Sequence, residues 1–361
     1  MKKILTTILL TSLLAAPQCF CADYDFTEAS TLTMVGKLFP DTPNPYHRVD
    51  TVKYKGFTPG ENFQLRVSSG IAVAFRTNSE TVTVKTDYFN AYDRPNSGGI
   101  ATRGYDLYIR KDGQWLWAGS GGTMMTKLND NIKIAECLGT EMKECILYLP
   151  LFSEEKSILI GTDCGSTIEA MENPFRHRVG LWGSSFTQGA STSRPGMAYS
   201  SQFSRATGIQ LLPLGCSGNC KLQSYFAACL KDADVEAFVF DTFSNPSVDM
   251  IRERLFPFIE AIQEVKPDIP LIFQKTIYRE KRNFNQKVMK DEAYRMEVAD
   301  SMMRIACRKY RNVYWVTSTN ATAKNHETSV DGTHPGDYGY TLWAESITKP
   351  ILKILRKYGI K

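Results

Sequence analysis

The second half of the chain alternates short apolar runs with helical patterns, and this rhythm constrains the fold more than any other feature. The apolar runs predict strands at 179–182, 209–214, 237–241, 270–274 and 313–316. Helical patterns cover 197–207, 222–230, 248–265, 286–310 and 340–358. Strands that alternate with helices in this way form a parallel sheet covered on both faces. The loops that follow the strands then meet at one edge of the sheet.

The first half, from about residue 23 to 163, instead shows short alternating segments separated by Gly, Asn, Asp and Ser. The predicted strands are 63–67, 71–76, 81–86, 105–110, 132–136, 144–149 and 156–161. Many short strands without a long helix predict an all-β domain of the β-sandwich or jelly-roll kind. Because 361 residues are many for one core, we predict two domains, 22–175 and 176–361. The boundary lies where polar residues and Pro174 interrupt the pattern.

Residues 1–21 have the features of a secretory signal peptide. Two lysines precede an apolar stretch over 4–16, and small residues follow it, so cleavage is expected after Cys21 or Ala22. The stretch is shorter than the roughly 20 residues that cross a bilayer, so stable membrane insertion is not expected. The expected location is periplasmic or extracellular. A lipoprotein is the alternative, although the residues before Cys19 and Cys21 lack the usual Leu-small-small pattern.

The net charge argues against a nucleic-acid-binding protein, and the cysteine spacing argues against a zinc protein. The formal net charge is +5, of which Lys2 and Lys3 of the leader contribute two, and no basic stripe interleaved with aromatics suggests a nucleic-acid partner. Seven cysteines follow the leader, so some are expected to form disulfides in an oxidising compartment. The candidate pairs are Cys137 with Cys145 and Cys216 with Cys220 or Cys229. A zinc site is the alternative, but the cysteines lack metal-ligand spacing.

Polar residues after the predicted strands suggest acyl-transfer chemistry. Ser185 lies in the turn 183–189 (Gly-Ser-Ser-Phe-Thr-Gln-Gly), directly after the first strand of the second half. A serine hydroxyl is a weak nucleophile that needs a base, and His334, three residues after Asp331, can supply one. The N–H groups of Ser185 and Gly218 and the side chain of Asn245 could then stabilise the oxyanion.

Each of these signals also has an ordinary structural interpretation. A Gly-Ser-Ser segment is often only a turn, and Asp331-Gly332 is a common turn dipeptide. Asn245 before Pro246 could cap the next helix. Gly218 could be present only because the backbone there needs a positive φ. The functional interpretation is favoured because all the loops concerned lie at the same predicted edge of the sheet.

Taken together and in this order, residues 183–189, Gly218-Asn219, Asn245 and Asp331-x-x-His334 resemble the SGNH (GDSL-type) hydrolases. Residues 104–108, Gly-Tyr-Asp-Leu-Tyr, resemble the Gly-x-Asp-Leu-Tyr motif that gives its name to the N-terminal domain of one subfamily. The resemblance implies a flavodoxin-like three-layer α/β/α domain preceded by a jelly-roll-like β domain. It also implies ester hydrolysis without a metal or other cofactor.

The resemblance assigns roles to the matching residues. Ser185 would be the nucleophile, His334 and Asp331 the other members of a triad, and Gly218 and Asn245 donors of the oxyanion hole. Ser184 stands where most relatives have Asp, so the usual carboxylate is missing at that position. Asp106 could contact a ligand or make a hydrogen bond between the domains, and we favour the second interpretation.

The sequence therefore predicts an exported serine esterase that hydrolyses small acyl esters, acetyl above all, on carbohydrate. The substrate is inferred from the combination of a β domain with an exported SGNH domain, which is an analogy at the level of the fold. A lipid or lysophospholipid esterase is the first alternative. A non-catalytic carbohydrate-binding surface protein is the second, and the complete set of predicted site residues argues against it. The oligomeric state is left open.

Overall fold

The computed structural model of the chain describes residues 24–318 and 321–361. The predicted signal peptide, residues 1–21, lies outside the described residues. The strands are β1 Tyr24–Glu28, β2 Thr33–Val35, β3 Ala72–Thr77, β4 Val82–Asn90, β5 Gly104–Lys111, β6 Gln114–Gly122, β7 Ile132–Ala135, β8 Lys143–Tyr148, β9 Glu154–Asp163, β10 Ile168–Ala170, β11 Arg176–Gly183, β12 Ile209–Gly215, β13 Ala237–Asp241, β14 Leu271–Gln274 and β15 Val313–Val316. The α-helices are α1 Pro59–Arg66, α2 Gly99–Arg103, α3 Ser185–Gln188, α4 Tyr199–Thr207, α5 Ser224–Leu230, α6 Val248–Gln263, α7 Gln286–Lys309 and α8 Asp337–Leu355. Within the described ranges, no helix is both long and apolar enough to span a membrane.

The second half forms a parallel five-stranded sheet in the order β12-β11-β13-β14-β15. All its pairings are parallel, as the alternation of strands and helices predicts. Helices α5, α6 and α7 bury their apolar faces on one side of the sheet, and α4 and α8 bury theirs on the other. The predicted three-layer, flavodoxin-like architecture is confirmed. This strand order reverses direction at β11, and ligands bind at such a switch point.

The first half forms two antiparallel sheets, also as predicted. One has the order β1-β9-β4-β7, and the other has the order β10-β3-β8-β5-β6 with β2 paired to β3. Apolar side chains from both sheets form a common core that includes Val84, Leu107 and Ile160. The last strand of the β region, β10, ends at Ala170, and the parallel sheet begins at Arg176.

The prediction of a strand at 63–67 is wrong, because this segment belongs to helix α1. The alternation of Phe63, Leu65 and Val67 suggested a strand, but a capping box begins a helix just before it. The Thr58 hydroxyl accepts a hydrogen bond from the Glu61 N–H, and the Glu61 carboxylate accepts one from the Thr58 N–H. Such a reciprocal cap satisfies two unpaired donors at a helix start, and it outweighs a short alternation of apolar residues.

The predicted disulfides do not form. Cys137 is exposed and Cys145 is buried, and neither is disulfide-bonded. Cys216, Cys220 and Cys229 are buried free thiols in the apolar core between the sheet and helices α5–α7. Burial raises the pKa of Cys216 to about 12, because the thiolate would lose its hydration. These cysteines therefore act as small apolar core residues.

Asp106 of the Gly-x-Asp-Leu-Tyr segment joins the two domains, which confirms the favoured interpretation. It lies in β5 with no exposed surface, and its carboxylate accepts hydrogen bonds at 2.7 and 3.0 Å from Arg194. The backbone N–H of Gly196 donates a third, at 2.8 Å. A Cβ at position 196 would lie 2.5 Å from Asp106 Oδ2, so only glycine permits this approach. The β domain is thus fixed to the loop that follows α3.

Candidate active site

Ser185 begins helix α3 at a sharp turn after β11. Ser184 caps the helix, since its hydroxyl accepts a hydrogen bond from the Phe186 N–H at 3.2 Å. Gly183 makes the turn possible, because a Cβ there would lie 2.0 Å from Thr187 Oγ1. Gly189 ends the helix with φ +88°, a left-handed conformation that favours glycine. The turn places Ser185 at the carboxyl end of β11, where it is 8% exposed.

The structure brings Ser185, His334 and Asp331 into a hydrogen-bonded row. His334 Nε2 lies 2.9 Å from Ser185 Oγ, and His334 Nδ1 lies 2.8 Å from Asp331 Oδ2. A carboxylate can only accept, so the ring proton belongs on Nδ1 and Nε2 is left to accept from the serine. The edge of the imidazole ring packs on Phe186, with ring centroids 5.6 Å apart. This is the geometry of a nucleophile, a base and an orienting acid.

The loop between Asp331 and His334 holds the carboxylate by its own backbone. Asp331 Oδ1 accepts from the N–H groups of Thr333 at 2.9 Å and His334 at 2.8 Å. Partial burial alone would raise the pKa of Asp331, but these bonds and the His334 side chain outweigh it and hold the pKa well below its usual range. Gly332, with φ +78°, permits the tight turn. Asp331 therefore stays ionised and keeps Oδ2 directed at the imidazole.

The two other predicted residues lie on the loops after the strands that flank β11. Gly218, after β12, occupies a turn closed by a hydrogen bond from the Asn219 N–H to the Cys216 carbonyl, and its φ is +73°. Asn245, after β13, accepts a hydrogen bond from the Cys220 N–H through Oδ1 at 3.3 Å. This bond ties the loop after β12 to the loop after β13, and it uses the oxygen of the Asn245 amide rather than its NH₂ group.

Residues that the sequence did not single out fix the Gly218 loop. The Gln188 side chain accepts hydrogen bonds from the N–H and hydroxyl of Ser217, at 3.1 and 2.7 Å, so helix α3 is joined to this loop. Gln64 of helix α1 donates to the Ser217 carbonyl and accepts from Asn219. Helix α1, part of which was predicted as a strand, thus connects the β half to this loop.

A buried carboxylate lies beneath the serine turn, although Ser184 replaces the usual Asp. Asp241, the last residue of β13, accepts hydrogen bonds at 3.1 Å from the hydroxyls of Ser184 and Thr187. It is fully buried, which raises its pKa to about 7 despite these bonds. The sequence gives one signal for it, a charged residue at the end of an apolar strand. The neighbouring strand thus places a carboxyl group next to Ser184, the position at which most relatives carry Asp.

One contact to the His334–Asp331 pair comes from the β domain. Asn96, in the loop between β4 and α2, donates from Nδ2 to Asp331 Oδ2 at 3.0 Å. Its Nδ2 also lies 3.4 Å from His334 Nδ1. The segment 94–99 (Arg-Pro-Asn-Ser-Gly-Gly) has the composition of an ordinary turn, so the sequence offers no signal for this role.

With a doubly wound sheet and polar loops gathered at its switch point, the chain has the architecture of an SGNH-type hydrolase. The profile of the GDSL-like lipase/acylhydrolase family matches residues 176–353. The profile of the GxDLY domain, the N-terminus of SGNH-type esterases, matches residues 24–168. None of the curated protein sequences compared with this chain matches it.

Solved structures agree with the family profiles. A Bacteroides ovatus protein described as a GDSL-like lipase is 37% identical, with a TM-score of 0.88 over 92% of this chain and 98% of that one. The salicylyl-acyltransferase SsfX3 from a tetracycline biosynthetic pathway is 20% identical, with a TM-score of 0.68 over 92% and 98% of the two chains. A family two carbohydrate esterase from Clostridium thermocellum, solved with cellohexaose, is 14% identical, with a TM-score of 0.55 over 81% and 94%.

The chain belongs to the GDSL-like (SGNH) hydrolase family and carries the GxDLY N-terminal domain. It is an enzyme that hydrolyses esters. The two more distant structures show a shared fold only.

Proposed function

We propose that the protein is an exported serine esterase that removes small acyl groups, acetyl foremost, from carbohydrate. The observation that carries the catalytic part of this proposal is the row Ser185–His334–Asp331, with contacts of 2.9 and 2.8 Å. The export part depends on the leader, residues 1–21, whose composition is that of a signal peptide.

The proposed reaction begins when His334 Nε2 takes the proton of Ser185 as its Oγ attacks the ester carbonyl. The carbonyl oxygen becomes an oxyanion, stabilised by the N–H groups of Ser185 and Gly218 and by Asn245 Nδ2. His334 then gives its proton to the leaving alcohol. His334 Nε2 next takes a proton from a water molecule as the water oxygen attacks the acyl-serine carbonyl. The bond from the acyl group to Ser185 Oγ breaks, the free acid leaves and His334 returns the proton to Oγ. Asp331 stabilises the imidazolium in both halves of the reaction.

Two observations support a small acyl group on a polar alcohol. The loops that meet the Ser185–His334–Asp331 row carry polar residues that bond one another: Asn96 bonds Asp331, Ser97 bonds the Ser191 N–H, and Ser193 bonds Asp337. A long acyl chain would need apolar surface instead. The fold is also shared with carbohydrate esterases, one of them solved with cellohexaose. A lipid esterase is the first competing function, and a non-catalytic carbohydrate-binding protein is the second.

The test is a comparison of substrates with the purified mature protein. p-Nitrophenyl esters from acetyl to dodecanoyl and acetylated oligosaccharides are offered, and kcat/KM is measured for each. We expect a steep fall beyond short acyl chains and release of acetate from the acetylated sugars. A preference for long chains would instead support the lipid esterase. Sugar binding without hydrolysis of any ester would support the non-catalytic alternative.

A further inference from the structure

Among the described residues, the β domain contacts the proposed triad through the loop 91–98, between β4 and α2. Asn96 lies in this loop, and its Nδ2 is 3.0 Å from Asp331 Oδ2. That oxygen is also the one that pairs with His334 Nδ1, whereas Asp331 Oδ1 is engaged by backbone N–H groups of its own loop. Asn96 therefore completes the set of donors around the carboxylate.

The contact between Asn96 and His334 differs in kind. Nδ1 of the imidazole carries the proton that it donates to Asp331. It therefore has no free lone pair with which to accept a hydrogen bond from Asn96. The 3.4 Å approach of Asn96 Nδ2 to Nδ1 is therefore a packing contact. Asn96 lies beside the His334–Asp331 hydrogen bond and covers it. Asp331 is one-third exposed, so a protein donor here takes a place that water would otherwise fill.

The loop that carries Asn96 is attached on both sides. The guanidinium of Arg94 lies 4.1 Å from the ring centroid of Phe152, on the β domain. The hydroxyl of Ser97 accepts a hydrogen bond from the Ser191 N–H at 3.1 Å, on the α/β domain. With its neighbours fixed at positions 94 and 97, Asn96 has a defined place, as a residue that orients another side chain must have.

We propose that Asn96 is a positioning residue of the triad, supplied by the β domain, which holds the Asp331 carboxylate in line with His334. The proposal rests on the proposed function, because it takes the Ser185–His334–Asp331 row to be catalytic. It assigns the β domain a share in the chemistry in addition to its attachment through Asp106. The bond is a hydrogen bond to a charged acceptor, among the stronger kinds in proteins.

The first test is Asn96→Ala, with steady-state kinetics on a short activated ester. Loss of one hydrogen bond to a charged group predicts a fall in kcat of about 10- to 100-fold. KM should change by less than about twofold, because Asn96 acts through Asp331 and not on substrate. Tyr92→Phe is the matched control, since it alters the same loop, keeps the ring that packs 5.6 Å from Phe63, and should leave kcat unchanged.

The second test is the pH–rate profile, which a purely structural role would not move. The Asn96 donor weakens the negative field of Asp331 at the imidazole. Its loss favours the protonated imidazole, and Asn96→Asp, which adds a negative charge in the same shape, favours it further. The acid limb of kcat/KM should move to higher pH in both variants and further in Asn96→Asp. Charged groups on the neighbouring elements stay unchanged in both variants: Arg279 packs on Phe186, Glu280 bonds Thr328, Lys281 lies against Gly332 and Asp337 bonds Ser193.

The outcomes separate this inference from the proposed function. If Ser185→Ala retains activity, the proposed site is wrong and the role of Asn96 falls with it. If Ser185→Ala is inactive while folded Asn96→Ala keeps its kcat and its acid limb, only the positioning role is wrong. A rise in KM at constant kcat would also overturn it, because Asn96 would then contact substrate. Should the alanine variant not fold, the isosteric Asn96→Asp variant decides by its acid limb.

Discussion

The two domains contribute to the candidate site in different ways. The α/β domain supplies Ser185, Gly218, Asn245 and His334 from loops that follow strands of one parallel sheet. The topology of such a sheet fixes where those loops lie, so position in the sequence predicts position in space. The β domain supplies Asn96 from a loop between β4 and α2. No comparable rule says where the loops of an antiparallel sandwich will lie.

This difference explains which site residues could be predicted. A polar residue directly after an apolar strand is visible in the sequence, and Ser185 and Asn245 were predicted in that way. Asn96 becomes visible only when the β domain is attached to the α/β domain. That attachment depends on Asp106, Arg194 and Gly196, which meet across 88 to 90 positions of the chain. The parallel sheet can thus be derived from the sequence locally, but the relation between the domains cannot.

The largest expected effect concerns the α/β domain alone. Ser185→Ala removes the proposed nucleophile, and kcat should fall by about 10⁴-fold or more. His334→Ala should have a similar effect, and the double variant should be little worse than either, because a triad acts as a unit. The measurement is kcat on a short p-nitrophenyl ester.

The thermal midpoint and a matched serine variant serve as controls for that comparison. Ser301→Ala makes the same chemical change on the exposed face of α7, a helix that supplies none of the proposed catalytic groups, and should keep full activity. All four variants should unfold within a few degrees of the wild type. Activity that persists in purified Ser185→Ala, or losses that multiply in the double variant, would show that Ser185 and His334 do not act together.

The errors at the level of the fold have a local physical cause. The segment 63–67 alternates like a strand, but Thr58, Pro59 and Glu61 form a helix cap a few residues earlier, and the helix continues through it. The number of cysteines suggested disulfides, but Cys216, Cys220 and Cys229 are buried as free thiols. The first outcome was determined by the capping residues just before the segment, and the second by burial of the thiols in the apolar core.

The next largest expected effect is a loss of stability when the contact between the two domains is broken. Asp106→Ala leaves Arg194 without its buried partner, and breaking such a pair costs about 3 to 5 kcal/mol of unfolding free energy. Asp106 has no exposed surface, and burial raises the pKa of its carboxyl although Arg194 opposes the shift. We expect a lower urea midpoint, and a smaller loss of kcat than in Ser185→Ala, because the chemical groups remain.

An exposed ion pair of the same β sheet provides the control for the junction. Arg110 and Glu144 are 3.1 Å apart, but both side chains are 40% exposed or more. Glu144→Ala should therefore cost less than about 1 kcal/mol. Equal losses for Asp106→Ala and Glu144→Ala would mean that the Asp106–Arg194 contact does not hold the domains together.

The candidate site also contains a residue that the sequence could have revealed. Asp241 ends strand β13 next to the loop that holds Asn245, where a charge after four apolar residues indicates a role. Its carboxylate accepts hydrogen bonds from Ser184 and Thr187 on either side of Ser185. The sequence could not show that these side chains meet, because β11 and β13 are separated in the chain by β12 and by helices α3, α4 and α5.

The smallest expected effect is on the pH dependence of the unfolding free energy, and it compares one buried carboxyl group in each domain. Burial raises the pKa of Asp241 to about 7 and that of Glu155 to about 8. In the unfolded chain both groups titrate near pH 4. The folded protein therefore holds protons that the unfolded chain releases. Each group's contribution to stability is complete below about pH 4 and is lost as pH rises through 7 or 8, with a slope of at most about 1.4 kcal/mol per pH unit.

Asp241→Asn and Glu155→Gln should each remove one of these slopes when unfolding free energies are measured in urea between pH 5 and 8. They should differ in activity. Asp241 bonds the residues on either side of Ser185, whereas Glu155 accepts hydrogen bonds from Ser68 and Ser153 inside the β domain. Asp241→Asn should therefore alter kcat as well as stability, and Glu155→Gln should alter stability alone. If both variants kept the wild-type slope, neither carboxyl would carry a proton in the folded protein at pH 5. If Asp241→Asn left kcat untouched, the carboxylate beneath Ser184 would serve only the fold.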